Sequence, residues 1–401
     1  MVRHVSQFCA GIWCSMYACC LCWSVCEQRT LAAVPRADLV KVVAPKSSCA
    51  AVDDQRDLLI LGERGPTDGQ LLIYKLDAAN GKVPAGEPTR VPLPRRDPVK
   101  AYPNYPLSIV VHPRLPLVYV WQDFTGPQAI AHELDHLVVF SIAGRDLKQV
   151  GTFAQGKEFG WARTTGTLGI DPAGKRLFLP NLRDPDSSLA ALGFFDLDDA
   201  GMPAPVPVPI AGSLDGFGLD KFEMQLRATR LVIAADASFP VLSAGFVVPS
   251  PAVALFGGVS GPAMWDTENR RAALDFVHVP LAGPSTLLGG HPKLPVVYGV
   301  SPDDGRKLVF RMRHADGYPT LVPTTISLDD ATGFRAAPLV LWGKKPCLAI
   351  GGANRLYLVG LGDSGGFTGE HATLEVNNKS VTALAYSEKH GLLYVAVEKI
   401  P

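Results

Sequence analysis

The stretch Ser108-Ile109-Val110-Val111-His112-Pro113-Arg114-Leu115-Pro116-Leu117-Val118-Tyr119-Val120 returns along the chain in altered form, and no other feature restricts the fold so strongly. It reads as an apolar run, a turn built on His-Pro, and a second apolar run carrying an aromatic, the pattern of two adjacent antiparallel strands. A near copy is Leu287-Leu288-Gly289-Gly290-His291-Pro292-Lys293-Leu294-Pro295-Val296-Val297-Tyr298-Gly299-Val300, and Asp-Pro replaces His-Pro in the copy that turns at Asp171-Pro172. Looser copies occupy 49–61 around Asp53 to Asp57, 241–257 around Pro249-Ser250-Pro251, 339–351 around Gly343 to Pro346, and 381–397 around Ser387 to Gly391.

The turns fall near 53, 112, 171, 249, 291, 345 and 388, a step of roughly 55 residues, which matches propeller blades. Almost no window repeats its apolar residues at helical spacing, so the class is all-β. Seven copies predict a seven-bladed β-propeller of four-stranded antiparallel blades, in which each copy forms a blade's inner two strands. Third strands are expected at 71–76, 137–142, 192–197, 308–312 and 356–361, followed by turn clusters such as Asp77-Ala78-Ala79-Asn80-Gly81. Two departures stand out. About 183–239 holds surplus residues and reads as an irregular insertion, and the last copy reaches Pro401 with only two strands. The last blade is therefore either incomplete or closed by an N-terminal strand at 39–43.

These units resemble the YVTN-type β-propeller repeat, in which a His-Pro or Asp-Pro turn leads into a Tyr-Val-Thr-Asn strand. The best matches are His112-Pro113 leading to Tyr119-Val120, Asp171-Pro172 leading to Phe178-Leu179-Pro180-Asn181, and His291-Pro292 leading to Tyr298-Gly299-Val300. The resemblance covers most of 42–397. It implies a propeller, often exported, in a group that holds lactonase-like hydrolases as well as surface proteins. No lactonase site pattern carries over position by position.

Lys plus Arg number 38 and Asp plus Glu number 38, so the chain lacks the basic footprint that nucleic acid demands. Residues 1–37 open with Arg3 and His4, continue through an apolar run, and reach small residues near Ala33 and Ala37. That order fits a secretory signal peptide or an N-terminal anchor preceding a propeller at 38–401. Six of the 8 cysteines lie in this leader; Cys49 and Cys347 remain as one potential disulfide pair.

The sharpest chemical motif is Ala131-His132-Glu133-Leu134-Asp135-His136-Leu137, which fits H-E-x-x-H and resembles the zinc motif of peptide deformylases. On that resemblance His132 and His136 bind zinc and Glu133 is the general base. Both histidines face one metal only if the segment is helical, whereas here it runs into a third-strand candidate. His112 and His291 begin turns and are replaced by Asp171 in a sister copy, so capping of backbone N–H groups accounts for them. Asp196-Leu197-Asp198-Asp199-Ala200-Gly201 opens like a calcium loop but has Pro207 at the bidentate position. Gly362-Asp363-Ser364-Gly365-Gly366 is a glycine-rich turn and not a nucleophile elbow.

The ligand-binding candidates follow the second strand of several copies: Asp123, Asn181, Arg183, Asp184, Asp186, Asp303 and Asp304. Loops on one face of a propeller bring such residues around the channel mouth. No cofactor is called for, although a divalent cation in the channel or at 132–136 is an alternative. The expected function is an exported, monomeric scaffold that binds a protein, glycan or small ligand. The alternative is a lactonase-like hydrolase acting at the channel mouth. No nucleic-acid partner is expected, and no membrane contact beyond an N-terminal anchor.

Overall fold

The computed structural model describes residues 39–43, 47–65, 69–94, 104–124, 135–154, 168–171, 173–183, 190–205, 208–209, 227–234, 241–247, 262–266, 271–272, 286–290, 296–303, 306–315, 318–328, 339–342, 345–351, 355–376 and 379–399. Among these residues there is no helix, and the strands form seven sheets. β1 (Leu39–Val43) precedes the first sheet, which contains β2 (Ser47–Asp53), β3 (Leu58–Arg64), β4 (Gly69–Lys75) and β5 (Thr89–Pro92). The second holds β6 (Asn104–Val111), β7 (Leu117–Phe124), β8 (Asp135–Ala143) and β9 (Asp146–Ala154). The third holds β10 (Gly169–Ile170), β11 (Arg176–Arg183), β12 (Ala190–Asp196) and β13 (Val208–Pro209).

The fourth sheet is β14 (Arg227–Ala234), β15 (Val241–Val247), β16 (Pro262–Asp266) and β17 (Arg271–Ala272). The fifth is β18 (Thr286–Gly290), β19 (Val296–Asp303), β20 (Arg306–Ala315) and β21 (Tyr318–Leu328). The sixth is β22 (Leu339–Trp342), β23 (Lys345–Gly351), β24 (Arg355–Leu361) and β25 (Phe367–Glu375). The seventh consists of β26 (Lys379–Ser387), β27 (Leu392–Lys399) and β1, in that order. The expected third strands coincide with β4, β8, β12, β20 and β24.

β1 runs parallel to β27, with Leu39 opposite Leu393 and Val43 opposite Val397, whereas every other pairing is antiparallel. The direction has a simple cause. In an up-and-down sheet the fourth strand runs parallel to the second, and β1 then leads through 44–46 into β2 as a fourth strand would.

Strands buried on both faces read as continuous apolar runs, and their odd and even residues enter different cores. Leu58 and Ile60 of β3 pack with Ile109, Val118, Val120 and Phe140 of the second sheet. Leu59 and Leu61 of the same strand pack with Ala383, Leu392, Tyr394 and Ala396 of the seventh. The other side of β27, at Leu393, Val395 and Val397, meets Leu348, Ile350 and Leu358 of the sixth sheet. The far side of the second sheet, at Leu117, Tyr119 and Trp121, covers Leu168, Leu177 and Phe195 of the third. The described cores thus lie between the sixth and seventh, seventh and first, first and second, and second and third sheets. Truncating Leu58 or Leu59, both fully buried, to alanine would cost about 3 kcal/mol each.

Three sequence expectations meet the structure differently. β14 pairs with β15, so the first turn of the fourth sheet spans 235–240, and the turn expected near 249 falls after the second strand. Proline punctuation marks a turn without saying which two strands it joins. Within 183–239, β12 and β13 complete the third sheet and β14 begins the fourth, while 184–189 and 210–226 lie outside the described residues. Cys49 on β2 and Cys347 on β23 lie in the first and sixth sheets and are not joined in a disulfide. The expected leader, 1–37, also lies outside the described residues.

Candidate functional site

Antiparallel order divides the connections between two faces. Turns joining first to second and third to fourth strands lie at one edge of each sheet; links from second to third strands, and from sheet to sheet, lie at the other. Most strand ends joined through ten residues or more lie at the second edge, here called the loop face: those flanking 93–103, 125–134, 155–168, 210–226, 248–261, 273–285 and 329–338. Only 76–88 and 197–207 are comparable on the turn face.

The described turns of the first, second, third and seventh sheets engage their polar groups in hydrogen bonds. Asp53 Oδ1 accepts the N–H groups of Gln55 and Arg56 at 3.0 and 3.1 Å. His112 Nδ1 accepts those of Arg114 and Leu115 at 3.0 and 2.8 Å, and Asp171 Oδ1 accepts those of Lys175 and Arg176 at 2.6 and 3.1 Å. His and Asp do the same work at equivalent positions, as their interchange in the sequence implies. The first two of these turns also reach the next. Gln55 Nε2 donates to the Pro113 carbonyl at 2.7 Å, and His112 Nε2 lies 3.1 Å from the Gly174 carbonyl.

The seventh and first sheets are joined through two carboxylates. Asp54 accepts from the Ser387 hydroxyl and from the N–H groups of Glu388 and Lys389, the last two at 2.9 and 3.2 Å. Asp57 Oδ1 accepts from Lys389 Nζ at 2.7 Å and from His390 Nε2 at 2.8 Å. Burial alone would raise the Asp57 pKa, but the hydrogen bonds from Lys389 and His390 bring it below the usual carboxylate value. Asp198 Oδ1, in the calcium-like segment, accepts the Met202 N–H at 2.7 Å and so caps its own turn. Among the described residues no three His, Cys, Asp or Glu side chains gather as a metal site.

On the loop face the inner strands are stitched by hydroxyl groups. Ser47 Oγ and Thr382 Oγ1 are 2.5 Å apart between the first and seventh sheets, and Ser48 Oγ donates to the Pro106 carbonyl of the second. The Leu168 N–H donates to Ser108 Oγ at 2.9 Å, tying the third sheet to the second. The half-buried Cys49 lies here, and desolvation pushes its thiol up to about 12, which leaves it protonated and unreactive near neutrality.

Topology places several sequence candidates on this face. Asp123 is the penultimate residue of β7, Asn181 and Arg183 lie in the closing part of β11, and Asp303 ends β19. Asp184, Asp186, Asp304, His132 and Glu133 lie outside the described residues. His136 is the second residue of strand β8, where a zinc-hydrolase motif would need helix. The sequence reading passed over Arg64 and Tyr105. Arg64 ends β3, and its guanidinium carbon stands 5.5 Å from the ring centre of Tyr105, which opposes Asp123 in the β6–β7 ladder. Arg64 ends a second strand as Arg183 and Asp303 do, and that shared position is the signal that could have found it.

Solved structures define the class. The chain resembles the periplasmic gluconolactonase of Pseudomonas aeruginosa at 15% identity, covering 86% of this chain and 96% of that one with a TM-score of 0.55. It resembles hydrazine synthase of Kuenenia stuttgartiensis at 13% identity, covering 89% and 94% with a TM-score of 0.54. The Dos1 propeller matches at 10% identity, covering 87% and 88% with a TM-score of 0.51. No protein-family model matches the sequence, and no curated protein matches it. At these identities the likeness is one of fold: the chain is a β-propeller.

Proposed function

We propose that the protein is an exported, monomeric, seven-bladed propeller of the YVTN type, closed through β1, and that its loop face binds a protein, glycan or small ligand. The carrying observation is the division of labour between the faces. The charged strand ends Arg64, Asp123, Arg183 and Asp303 lie at the sheet edges where most of the longer connections begin or end, while the described turns of the first, second and seventh sheets spend polar groups on neighbouring turns. Rigid strands that present variable loops are the usual way such folds make a binding surface.

The second reading is a lactonase-like hydrolase, favoured by likeness over nearly the whole of a gluconolactonase described as periplasmic. Catalysis there would need a carboxylate or imidazole placed against a lactone carbonyl or a water. A lactone and ester panel separates the two. Turnover that disappears in Asp184→Ala or Asp303→Ala supports the hydrolase. Saturable binding to a glycan, peptide or small-molecule array without turnover, weakened in Asp123→Ala and Arg183→Ala, supports the scaffold.

A further inference from the structure

We infer that His112 is a proton-sensitive latch between the second and third sheets, which holds only while its imidazole is neutral. Nδ1 accepts two backbone N–H groups, those of Arg114 and Leu115, so it carries no proton. Nε2 is then the protonated nitrogen and donates to the Gly174 carbonyl in the neighbouring turn. A second proton must go to Nδ1, where it would replace an acceptor with a donor facing two other donors.

The ring cannot easily turn to escape. His112 is 4% exposed, its ring lies 6.3 Å from that of Tyr119, and a Cβ on Gly174 would come within 2.6 Å of its Cε1. The charged groups around it are Arg114 on its own turn, Arg56 on the β2–β3 turn and Asp171 on the β10–β11 turn. Two cations face it and one carboxylate. Burial first, opposed by the Gly174 carbonyl, holds the His112 pKa below the ordinary histidine value. The folded chain therefore takes up this proton less readily than the unfolded one, and the latch weakens as pH falls below the ordinary histidine pKa.

The joint between the seventh and first sheets behaves in the opposite way. There His390 Nε2 donates to the Asp57 carboxylate, a bond that a charged imidazole keeps. A proton on Nδ1 thus opposes the contacts of His112, whereas the His390 contact uses only a donor nitrogen.

The test uses amide exchange and imidazole nitrogen shifts of the full chain between about pH 7.5 and about pH 5. The expected result is a neutral Nε2–H tautomer for His112 at the upper pH, and a fall of about tenfold in protection at Arg114 and Leu115 at the lower. His112→Asp, which copies the sister turn at Asp171, is expected to keep its protection, and His390→Gln to lose it as the parent does. An equal fall in His112→Asp, or an Nδ1–H tautomer or cation at neutral pH in the parent, would overturn the proposal. Should His112→Asp not fold, the parent decides: loss of protection must follow an imidazole titration centred below the ordinary histidine value, and a higher midpoint refutes the latch.

Discussion

The phenolic oxygen of Tyr394 donates to the carbonyl of Gly81 at 2.6 Å, across 313 residues of chain. Tyr119 makes the same bond to Gly201, also at 2.6 Å. In each case a tyrosine on the second strand of one sheet reaches a glycine in the turn between third and fourth strands of the next. Burial raises the pKa of both phenols, so both donate at any physiological pH. The joint between the last and first sheets is therefore built like a joint between consecutive ones.

Removing either hydroxyl strands a buried carbonyl. Tyr119→Phe and Tyr394→Phe are each expected to lower unfolding free energy by about 1 to 2 kcal/mol, read from urea midpoints at unchanged slope. The two losses should add, since the bonds share no residue.

The glycines that receive these bonds are closed to a side chain. Gly81 has φ of 69°, and a Cβ there would stand 2.6 Å from His390 Cγ; at Gly201, φ is 77° and the Cβ would stand 2.5 Å from Leu117 Cδ1. Gly144 has φ of 67° with open space around it. Gly144→Ala should cost about 1 kcal/mol for the backbone alone. Gly81→Ala and Gly201→Ala should cost about 3 kcal/mol as clash is added. Equal melting temperatures for the three variants would contradict the packing described.

Asp57 ties the same seam electrostatically. Its folded pKa lies below the unfolded value, so it stabilises the protein above that unfolded value and the benefit is lost as pH falls through the folded one. Asp57→Asn is expected to cost about 2 kcal/mol near neutrality by weakening the bonds to Lys389 and His390. Its stability should then change less than that of the parent in the acid range, as measured by urea unfolding along a pH series.

Cys49 and Cys347 are expected not to link to each other. Alkylation of the native protein at mildly alkaline pH, mapped by mass spectrometry, should label Cys49 far more slowly than after denaturation, because its thiol is held up to about 12. A peptide pair linked through these two cysteines would contradict their separation into the first and sixth sheets.

Much of this was legible in the sequence because it is local. Apolar runs and turn residues marked the third strands, and the exchange of His112 for Asp171 announced a shared capping role. The run at 39–43 suggested a strand because the last copy lacked partners. Its parallel pairing with β27 follows only once the order of strands is known. The Tyr394–Gly81 bond was invisible because no local rule relates residues so far apart, although each turn keeps an aspartate and a glycine, as at Asp77 and Gly81 or Asp198 and Gly201. Pro249 misled because a turn signal carries no strand count. For the site, the sequence placed Asp123, Arg183 and Asp303 after second strands but overlooked Arg64, whose stacking on Tyr105 depends on the approach of two sheets.

The loop face exists as a single surface only if the first and last sheets meet. Ser47 Oγ and Thr382 Oγ1, 2.5 Å apart, allow that meeting to be tested directly. Cysteines placed there, as Ser47→Cys with Thr382→Cys, lie at a separation a disulfide can span. Closure predicts a crosslink within the folded monomer, detected as a linked peptide pair, and a higher melting temperature that reduction reverses. Failure of the two cysteines to link in the folded monomer under oxidising conditions would contradict the closed ring.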